Sequence, residues 1–262
     1  GQAEALTSLL AGRHTLAVMP TGAGKSLIYQ LAALHLPGLG LVLSPLIALM
    51  VDQVEGLERR QISATYINST LSADEQMRRL QALAAGAYRL AYVAPERLRS
   101  VAFQEALRQV RVGLLAVDEA HCISQWGHDF RPDYLHIAAA RAPMGEPLTV
   151  ALTATATPQV QDDIVRLLAL GTATRIVTGF NRPNLTFAVR QTPGLPEKLQ
   201  ALRELLGGLD EGAALVYTGT RRDAEEVAEF VRAMIGLEAE HYHAGMSAEA
   251  RARVQDAFMA GD

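Results

Sequence analysis

Short apolar runs alternate with longer segments of helical periodicity along most of this 262-residue chain. Two parallel strands need a crossover connection, usually a helix, so this alternation is typical of a mainly parallel sheet covered by helices. The pattern therefore predicts an α/β fold. The candidate strands are residues 15–18, 40–43, 65–67, 89–93, 113–117, 149–152 and 175–177.

A stretch rich in Pro, Asn and Gly interrupts this rhythm at residues 178–196. It contains two turn-forming groups, FNRPN at 180–184 and QTPGLP at 191–196, and such groups separate elements of regular structure. We place a domain boundary here, which predicts a first domain at 1–178 and a second at 179–262.

The alternation of strand and helix restarts around and after this boundary. The second domain has only two or three candidate strands, fewer than the roughly four to six of a typical sheet, so we expect it to be incomplete. Its predicted elements are strands at 185–189, 213–217 and 238–242, and helices at 197–206, at 222–234 and from about Ser247.

The composition indicates the class of protein but does not identify a binding partner. The chain is 49% hydrophobic and 20% charged, as folded globular proteins are. Its formal net charge of −4 is opposite to the basic footprint usual in nucleic-acid binders, so only local motifs can point to such a partner.

Cysteine content and hydropathy indicate a cellular setting. The single cysteine, Cys122, excludes an internal disulfide or a cysteine-based zinc cage and fits a reducing compartment. No apolar run reaches the ~20 residues of a membrane span, and the N-terminus has no signal-like pattern. We therefore expect a cytoplasmic protein with no membrane partner.

A glycine-rich segment, MPTGAGKS at 19–26, follows the strand predicted at 15–18 and precedes a helix predicted at 27–34. Between a strand and a helix, glycines let successive backbone N–H groups turn toward phosphate oxygens, and the helix N-terminus adds a favourable dipole. Lys25 is expected to neutralise phosphate charge and Ser26 to ligate Mg²⁺. The predicted phosphate-binding residues are Pro20, Thr21, Gly22, Ala23, Gly24, Lys25 and Ser26.

The strand predicted at 113–117 ends in the residues DEAH at 118–121. Carboxylates at the carboxyl end of an apolar strand are typical of active sites in α/β folds. Asp118 is expected to hold Mg²⁺, usually through water, and Glu119 to orient and deprotonate an attacking water. His121 lies too far along the turn to serve the same ion, so we assign it to coupling between motifs.

Further segments, in the same order, resemble the motifs of RecQ-type helicases of superfamily 2. The PTG form of the loop, with Met19 where the general pattern has a glycine, is also the superfamily 2 form. The resemblance implies tandem RecA-like domains. The matching segments are GQAEA at 1–5, LSPLIALMVDQV at 43–54, YVAPERL at 92–98, LTATAT at 152–157, ALVYTGTRR at 214–222 and YHAGM at 242–246.

The resemblance also implies roles for residues in these segments. Gln2 would read the adenine edge, and Thr153 and Thr155 would link the γ-phosphate site to a strand-binding surface. Turns after the strands would bind DNA phosphates through backbone N–H groups without reading base sequence. Further residues assigned to nucleic-acid contact and coupling are Ser44, Pro45, Leu46, Pro95, Glu96, Thr218 and Arg221.

The segment CISQWGHDFRPDY at 122–134 resembles the aromatic-rich loop that distinguishes RecQ-type helicases from other superfamily 2 motors. Its aromatic rings offer faces for base stacking, and its cationic groups can contact phosphate or relay to the ATP site. The alternative is a buried helical stripe of Trp126, Phe130 and Tyr134, which the interrupting glycine and proline disfavour. The residues assigned to DNA contact are Gln125, Trp126, His128, Phe130 and Arg131.

The resemblance implies an ATP-dependent DNA helicase that moves 3′ to 5′ along single-stranded DNA and unwinds duplexes, with ATP and Mg²⁺ as cofactors. Single-stranded and partly duplex DNA are the expected partners, in a bacterial cytosol or nucleoid. The family's motif V, its arginine-finger motif VI, and its zinc-binding and winged-helix regions have no counterpart here. Arginine fingers contribute about 10³–10⁵ in turnover in related NTPases, so we expect this chain to bind ATP and DNA but hydrolyse weakly.

Two other functions fit part of the pattern. One is an ATP-gated nucleic-acid-binding module that clamps strands without unwinding them. The other is an RNA helicase of the DEAD-box kind, which His121 in place of a final aspartate and the tryptophan loop disfavour.

Overall fold

The computed structural model describes residues 1–179, 184–208 and 212–261. The chain divides into two compact units, Gly1–Arg182 and Pro183–Asp262. The predicted turn-forming group at 180–184 falls mostly outside the described residues. No helix in the described ranges combines the length and the apolar character needed to cross a membrane.

One seven-stranded sheet forms the centre of the first unit, and every neighbouring pair of strands in it is parallel. All seven predicted strands are confirmed, each within one residue at either end, and so is the α/β class. The strands are β1 (Thr15–Val18), β2 (Leu39–Leu43), β3 (Ala64–Ile67), β4 (Leu90–Val93), β5 (Val112–Val117), β6 (Leu148–Thr153) and β7 (Thr174–Val177).

Helices cover both faces of this sheet, as parallel strands require. Side-chain caps start several of them: Ser72, Ser100 and Thr157 each accept a backbone N–H from the residue three positions on. The helices of the first unit are α1 (Gln2–Leu10), α2 (Lys25–His35), α3 (Ile47–Glu58), α4 (Ala73–Ala84), α5 (Val101–Arg108), α6 (Ile137–Arg141) and α7 (Pro158–Leu167).

Two apolar cores lie on opposite faces of the sheet, and successive residues of a strand alternate between them. In β5, Leu115 and Val117 belong to one core, whereas Leu114 and Ala116 belong to the other. A strand buried on both faces is apolar at every position, which is why these strands are uninterrupted apolar runs in the sequence.

The strand order β3-β4-β2-β5-β6-β1-β7 positions the motifs. Because all the strands are parallel, their carboxyl ends meet at one edge of the sheet. Strand β6 lies between β1 and β5. The 19–26 loop follows β1 and Asp118 follows β5, so the two are one strand apart, with Thr153 at the end of β6 between them.

The second unit contains helices but no paired strand among its described residues. The predicted helices at 197–206, at 222–234 and from Ser247 are confirmed, and Ser247 caps the last of them by accepting the N–H of Ala250. The segment predicted at 222–234 is an α-helix only as far as Phe230 and continues as a π-helical turn. These elements are α8 (Leu195–Gly207), α9 (Arg221–Phe230), the π-helical turn Val231–Ile235 and α10 (Ala248–Ala260).

The strands predicted at 185–189, 213–217 and 238–242 are wrong. An apolar run becomes a strand only where a neighbouring strand takes up its backbone hydrogen bonds, and no such ladder is present in the described part of this unit. The side chains of Phe187 and Tyr217 are each 92% exposed as a result. The sequence pattern detected their β propensity but not the missing neighbours.

Candidate nucleotide and nucleic-acid site

The 19–26 loop bends tightly between β1 and α2. Gly22 and Gly24 have φ angles of 79° and 73°, in the left-handed region that favours glycine. Gly24 is also the N-cap of α2, so the N-terminus of this helix opens directly onto the loop. The Lys25 Nζ donates to the carbonyls of Met19 at 3.1 Å and Pro20 at 3.3 Å, which places its positive charge inside the bend.

The Gln2 side chain lies against the same loop. Its Nε2 donates to the Ala23 carbonyl at 2.8 Å, and a Cβ on Gly24 would lie only 2.0 Å from that nitrogen. Helix α1, which begins at Gln2, thus brings this side chain against the turn that precedes Lys25.

Asp118 is a buried carboxylate immediately after β5, with 6% of the residue exposed. Its backbone N–H continues the ladder by donating to Leu43 at 2.8 Å. Burial, with a contribution from the charge of Glu119, raises the pKa of Asp118 from 3.8 to about 6, although Lys25 and His121 oppose this. Asp118 therefore lies where a nearby cation would be stabilising.

Glu119 has a strained backbone, with φ 47° and ψ 45°. This backbone conformation raises the free energy of a non-glycine residue by about 1–3 kcal/mol. It persists where surrounding contacts hold it, often at functional sites. The Glu119 Oε2 lies 3.3 Å from the His121 Nδ1. Hydrogen bonding from His121 lowers the pKa of Glu119, so this carboxylate is ionised at neutral pH.

His121 connects the end of β5 to the end of β6. Its Nδ1 lies 2.9 Å from the buried Thr153 hydroxyl, which donates to the Thr155 carbonyl at 3.1 Å. The His121 Nδ1 therefore lies within reach of both the Glu119 carboxylate and the Thr153 hydroxyl. The His121 ring also stacks on His128 of the aromatic loop, with centroids 4.3 Å apart.

The aromatic residues of the 122–134 segment point in different directions. Trp126 is 72% exposed, whereas Tyr134 is fully buried and its hydroxyl donates to the Asp118 carbonyl at 2.9 Å. Phe130 is half-buried. The alternative of one buried helical stripe is therefore wrong, because the segment consists of a turn and short 3₁₀ helices rather than an α-helix.

Arg131 fastens the end of the aromatic loop. Its guanidinium pairs with Asp129 at 2.9 Å and donates to the Pro45 carbonyl at 3.4 Å. Its backbone N–H donates to the Cys122 carbonyl at 2.8 Å. Arg131 thus joins the loop to the turn after β2, which is the turn assigned to DNA phosphates.

The other residues of the first unit assigned to DNA lie at the same edge of the sheet. Ser44 is buried, and its hydroxyl has no hydrogen-bond partner among the described residues, while Leu46 is 46% exposed. Pro95 is buried and Glu96 exposed, at the start of a 3₁₀ turn after β4. Gln125 is exposed beside Trp126.

Thr218 and Arg221 belong to the second unit. Thr218 donates its hydroxyl to the Thr220 carbonyl at 3.1 Å, and Arg221 is the first residue of α9. The structure brings the remaining assigned residues to one edge of the first unit. Of these two, Arg221 lies on α9 of the second unit and Thr218 lies in the segment just before it.

Sequence reasoning missed three polar partners in the first unit. Tyr134 supports the backbone of Asp118, Asp129 pairs with Arg131, and Asp163 accepts the Ser124 hydroxyl. Ser124 and Asp163 are 39 residues apart in the chain, so no local pattern signals their contact.

Comparison with solved structures supports the fold. The Mycobacterium smegmatis helicase Lhr, in a structure described as bound to ssDNA and AMP-PNP, superposes with a TM-score of 0.70 at 23% identity. The match covers 99% of this chain and 38% of Lhr. The helicase MrfA superposes with a TM-score of 0.68 at 18% identity over 98% of this chain and 41% of its own.

Curated relatives match the chain along its whole length. The ATP-dependent DNA helicase RecQ of Bacillus subtilis (strain 168) is 44% identical over 261 residues, which are 99% of this chain and 44% of the relative. The probable ATP-dependent DNA helicase RecS of the same organism is 39% identical over 99% of this chain and 52% of its own length. The chain thus spans about half the length of these relatives, and its resemblance to RecQ-type helicases is confirmed.

A family model described as DEAD/DEAH box helicase matches residues 1–164, more than half of the chain. This match includes the glycine-rich loop, the DEAH residues and the aromatic loop, whose geometry is given above. The chain therefore belongs to the DEAD/DEAH box helicase family.

Proposed function

We propose that this chain is the motor part of an ATP-dependent DNA helicase, which couples Mg-ATP hydrolysis to movement along single-stranded DNA and to duplex unwinding. One observation carries the proposal. Lys25, whose ammonium lies inside the bend after β1, and the pair Asp118 and Glu119, which follows β5, stand at the carboxyl ends of two parallel strands that only β6 separates. A phosphate-binding lysine, a metal-ligating carboxylate and a candidate base therefore share one edge of the sheet.

The residues at this edge fit Mg²⁺ and a nucleoside triphosphate. Mg²⁺ prefers hard oxygen donors, and the Ser26 hydroxyl and the Asp118 carboxylate offer them. When bound, the ion would neutralise charge on the phosphates. Lys25 would exchange its two loop carbonyls for phosphate oxygens, and the N-terminus of α2 would add backbone N–H groups.

Glu119 is the proposed general base. It is ionised at neutral pH and held by His121, so it is ready to accept a proton from a water molecule. In the proposed reaction, that water's oxygen bonds to the γ-phosphorus, the bond to the β–γ bridging oxygen breaks, and ADP and phosphate leave.

The proposed DNA side of the motor includes Trp126 and the turn at Ser44–Leu46. An exposed indole stacks on bases of any sequence, worth about 1–3 kcal/mol per base. DNA as the substrate is supported by the names of the relatives, and movement 3′ to 5′ by the RecQ resemblance alone. We place this activity in a bacterial cytosol or nucleoid.

Lys25→Ala is the variant that tests the nucleotide site. Loss of a charge-assisted contact to phosphate, about 1.5–3 kcal/mol, should weaken binding of a fluorescent ATP analogue with Mg²⁺ by at least about tenfold. Lys198→Ala, which removes the exposed lysine of α8, is the matched control and should bind like the wild type. Equal binding by Lys25→Ala and the wild type would refute the proposed site.

Glu119→Gln tests the proposed base. This variant should bind the analogue like the wild type but lose hydrolysis, because the amide cannot accept the proton. Glu58→Gln, at the exposed end of α3, is its control. Hydrolysis at the wild-type rate by Glu119→Gln would remove Glu119 from the role of base.

A strand-displacement assay separates helicase from clamp. The assay is run on this chain and on a form extended to the length of its curated relatives. Displacement that depends on ATP and on Lys25 supports the helicase. Nucleotide-dependent strand binding without displacement in both forms would instead assign an ATP-gated nucleic-acid-binding module.

A further inference from the structure

The base of the aromatic loop rests on a side chain of helix α7. The fully buried Ser124 donates its hydroxyl to the Asp163 Oδ2 at 2.7 Å, and the same hydroxyl oxygen accepts the backbone N–H of Trp126 at 3.2 Å. The Ser124 carbonyl accepts the Gly127 N–H at 3.0 Å. One serine therefore holds both sides of the turn that carries Trp126, and Asp163 holds the serine.

The turn around Trp126 is tightly packed. A Cβ on Gly127 would lie 2.5 Å from the His121 carbonyl oxygen and 3.1 Å from that of Ser124. The backbone at Gly127 thus packs directly against the carbonyl groups of His121 and Ser124, whereas the Trp126 side chain extends into solvent. The direction of the indole depends on how the base of this turn is held.

Asp163 is well placed to hold that base. Only 15% of its side chain is exposed, and it also pairs with Arg166 one turn further along α7. The Ser124 hydroxyl is the main cause that lowers the pKa of Asp163, so the carboxylate is ionised and accepts a charge-assisted hydrogen bond.

Helix α7 also leads back to the nucleotide edge of the sheet. It starts at Pro158, immediately after the 153–157 turn, and Thr157 caps it. Val160 and Ile164 of α7 belong to the same core as Cys122 and Ile123 at the base of the loop. A shift of the 153–157 turn would therefore move α7 and the loop together.

We infer that Ser124 and Asp163 are positioning residues, whose hydrogen bond orients Trp126 for stacking on a DNA strand and ties it to the 153–157 turn beside the nucleotide site. This inference rests on the proposed function. Neither residue touches nucleotide or DNA in it; both act through Trp126.

The experiment uses Trp126 as its own reporter, because it is the single tryptophan of the chain. An oligo-dT strand is titrated into the 262-residue chain while tryptophan emission is followed. Ser124→Ala and Asp163→Ala should each weaken strand binding about tenfold, as expected for loss of a buried hydrogen bond to a charge, and reduce the emission change at saturation. Their affinity for the fluorescent ATP analogue should not change.

Three further variants separate positioning from general damage. Asp163→Asn keeps an acceptor oxygen for the Ser124 hydroxyl and should restore most of the strand affinity. The double variant Ser124→Ala/Asp163→Ala should bind like either single variant, because both lose one shared interaction. Asp162→Ala, at a neighbouring position of α7 whose carboxylate is 68% exposed, is the matched control and should behave like the wild type.

The outcomes distinguish failure of the proposed function from failure of the positioning role. A wild-type chain that binds neither the ATP analogue nor oligo-dT would refute the proposed function itself. If the wild type binds both, then wild-type strand affinity in Ser124→Ala, additive effects in the double variant, or failure of Asp163→Asn to rescue would each overturn the positioning role. Should Asp163→Ala not fold, as judged by circular dichroism, Ser124→Ala and Asp163→Asn decide the question.

Discussion

The surroundings of the Asp118 side chain disfavour the negative charge of its carboxylate. It is buried at the end of β5, its neighbour Glu119 is also acidic, and the two effects raise the pKa of Asp118 to about 6. A group that binds protons more tightly in the folded than in the unfolded state favours folding when it is protonated. That contribution is present below the unfolded pKa of 3.8 and is lost as pH rises through about 6.

We therefore predict that Asp118→Asn stabilises the chain in the absence of Mg²⁺. Near pH 8 the variant should have a higher free energy of unfolding by about 2–3 kcal/mol, from roughly 1.4 kcal/mol per unit of pKa shift, and the gap should narrow toward about pH 5. Urea denaturation with EDTA, followed by far-UV circular dichroism, measures this. Asp52→Asn, on the exposed side of α3, should change stability by less than about 0.5 kcal/mol. A gap that is constant with pH, or has the opposite sign, would contradict the prediction.

Strand β5 ends immediately before Asp118 and contains a local irregularity that shifts its register against β2 by one residue. Leu39 of β2 pairs with Val112, but the next residue, Gly40, pairs with Leu114, so Gly113 is an extra residue in the ladder. A Cβ on Gly113 would lie 1.9 Å from the Pro37 carbonyl oxygen. Because the obstacle is backbone, no side-chain rotation can relieve it.

Gly113→Ala should destabilise the first unit by about 2–3 kcal/mol, in the range found for overpacked positions. The matched control is Gly56→Ala inside α3, where the nearest atom to the new Cβ is the Arg60 guanidinium at 3.7 Å. That change should stabilise by about 0.5–1 kcal/mol, since alanine loses less backbone entropy than glycine in a helix. The urea concentrations at the unfolding midpoints of both variants test these two predictions. A midpoint of Gly113→Ala at or above that of the wild type would show that β2 and β5 accommodate the methyl group.

At the scale of the whole molecule, the two units differ in how their backbone is hydrogen-bonded. The first has a continuous parallel sheet with a core on each face. In the described part of the second, the three segments predicted as strands lack ladder partners, and residues such as Val189 are up to 95% exposed. Backbone amides without intramolecular partners are open to water.

Hydrogen exchange should therefore separate the units. Amides of β5 should be protected to nearly the full free energy of unfolding of the first unit, whereas those of 185–189 and 213–217 should exchange almost as fast as an unfolded chain. Mass spectrometry of peptides from the exchanged protein reports both. Strong protection at 213–217 would mean that this segment pairs as a strand in solution, as its sequence pattern suggests.

Much of the first unit was predictable because its signals are local. Strands buried on both faces are apolar at every position, and this property gave the seven strands within one residue. The glycine-rich loop and the DEAH residues each occur as a contiguous segment, because a phosphate cradle and a strand-end carboxylate are built from neighbouring residues. The sequence by itself therefore determined the fold class, the helicase family and the central residues of the candidate site.

Only the tertiary structure decided which distant groups meet. The strand order set Thr153 between Lys25 and Asp118. Tertiary packing buried Tyr134 against the Asp118 carbonyl, left Trp126 exposed, and joined Ser124 to Asp163. In the described part of the second unit, the three segments predicted as strands have no strand neighbours. Strand pairing and side-chain contacts across many residues depend on partners that a local pattern does not contain, which is the physical reason that sequence reasoning stopped there.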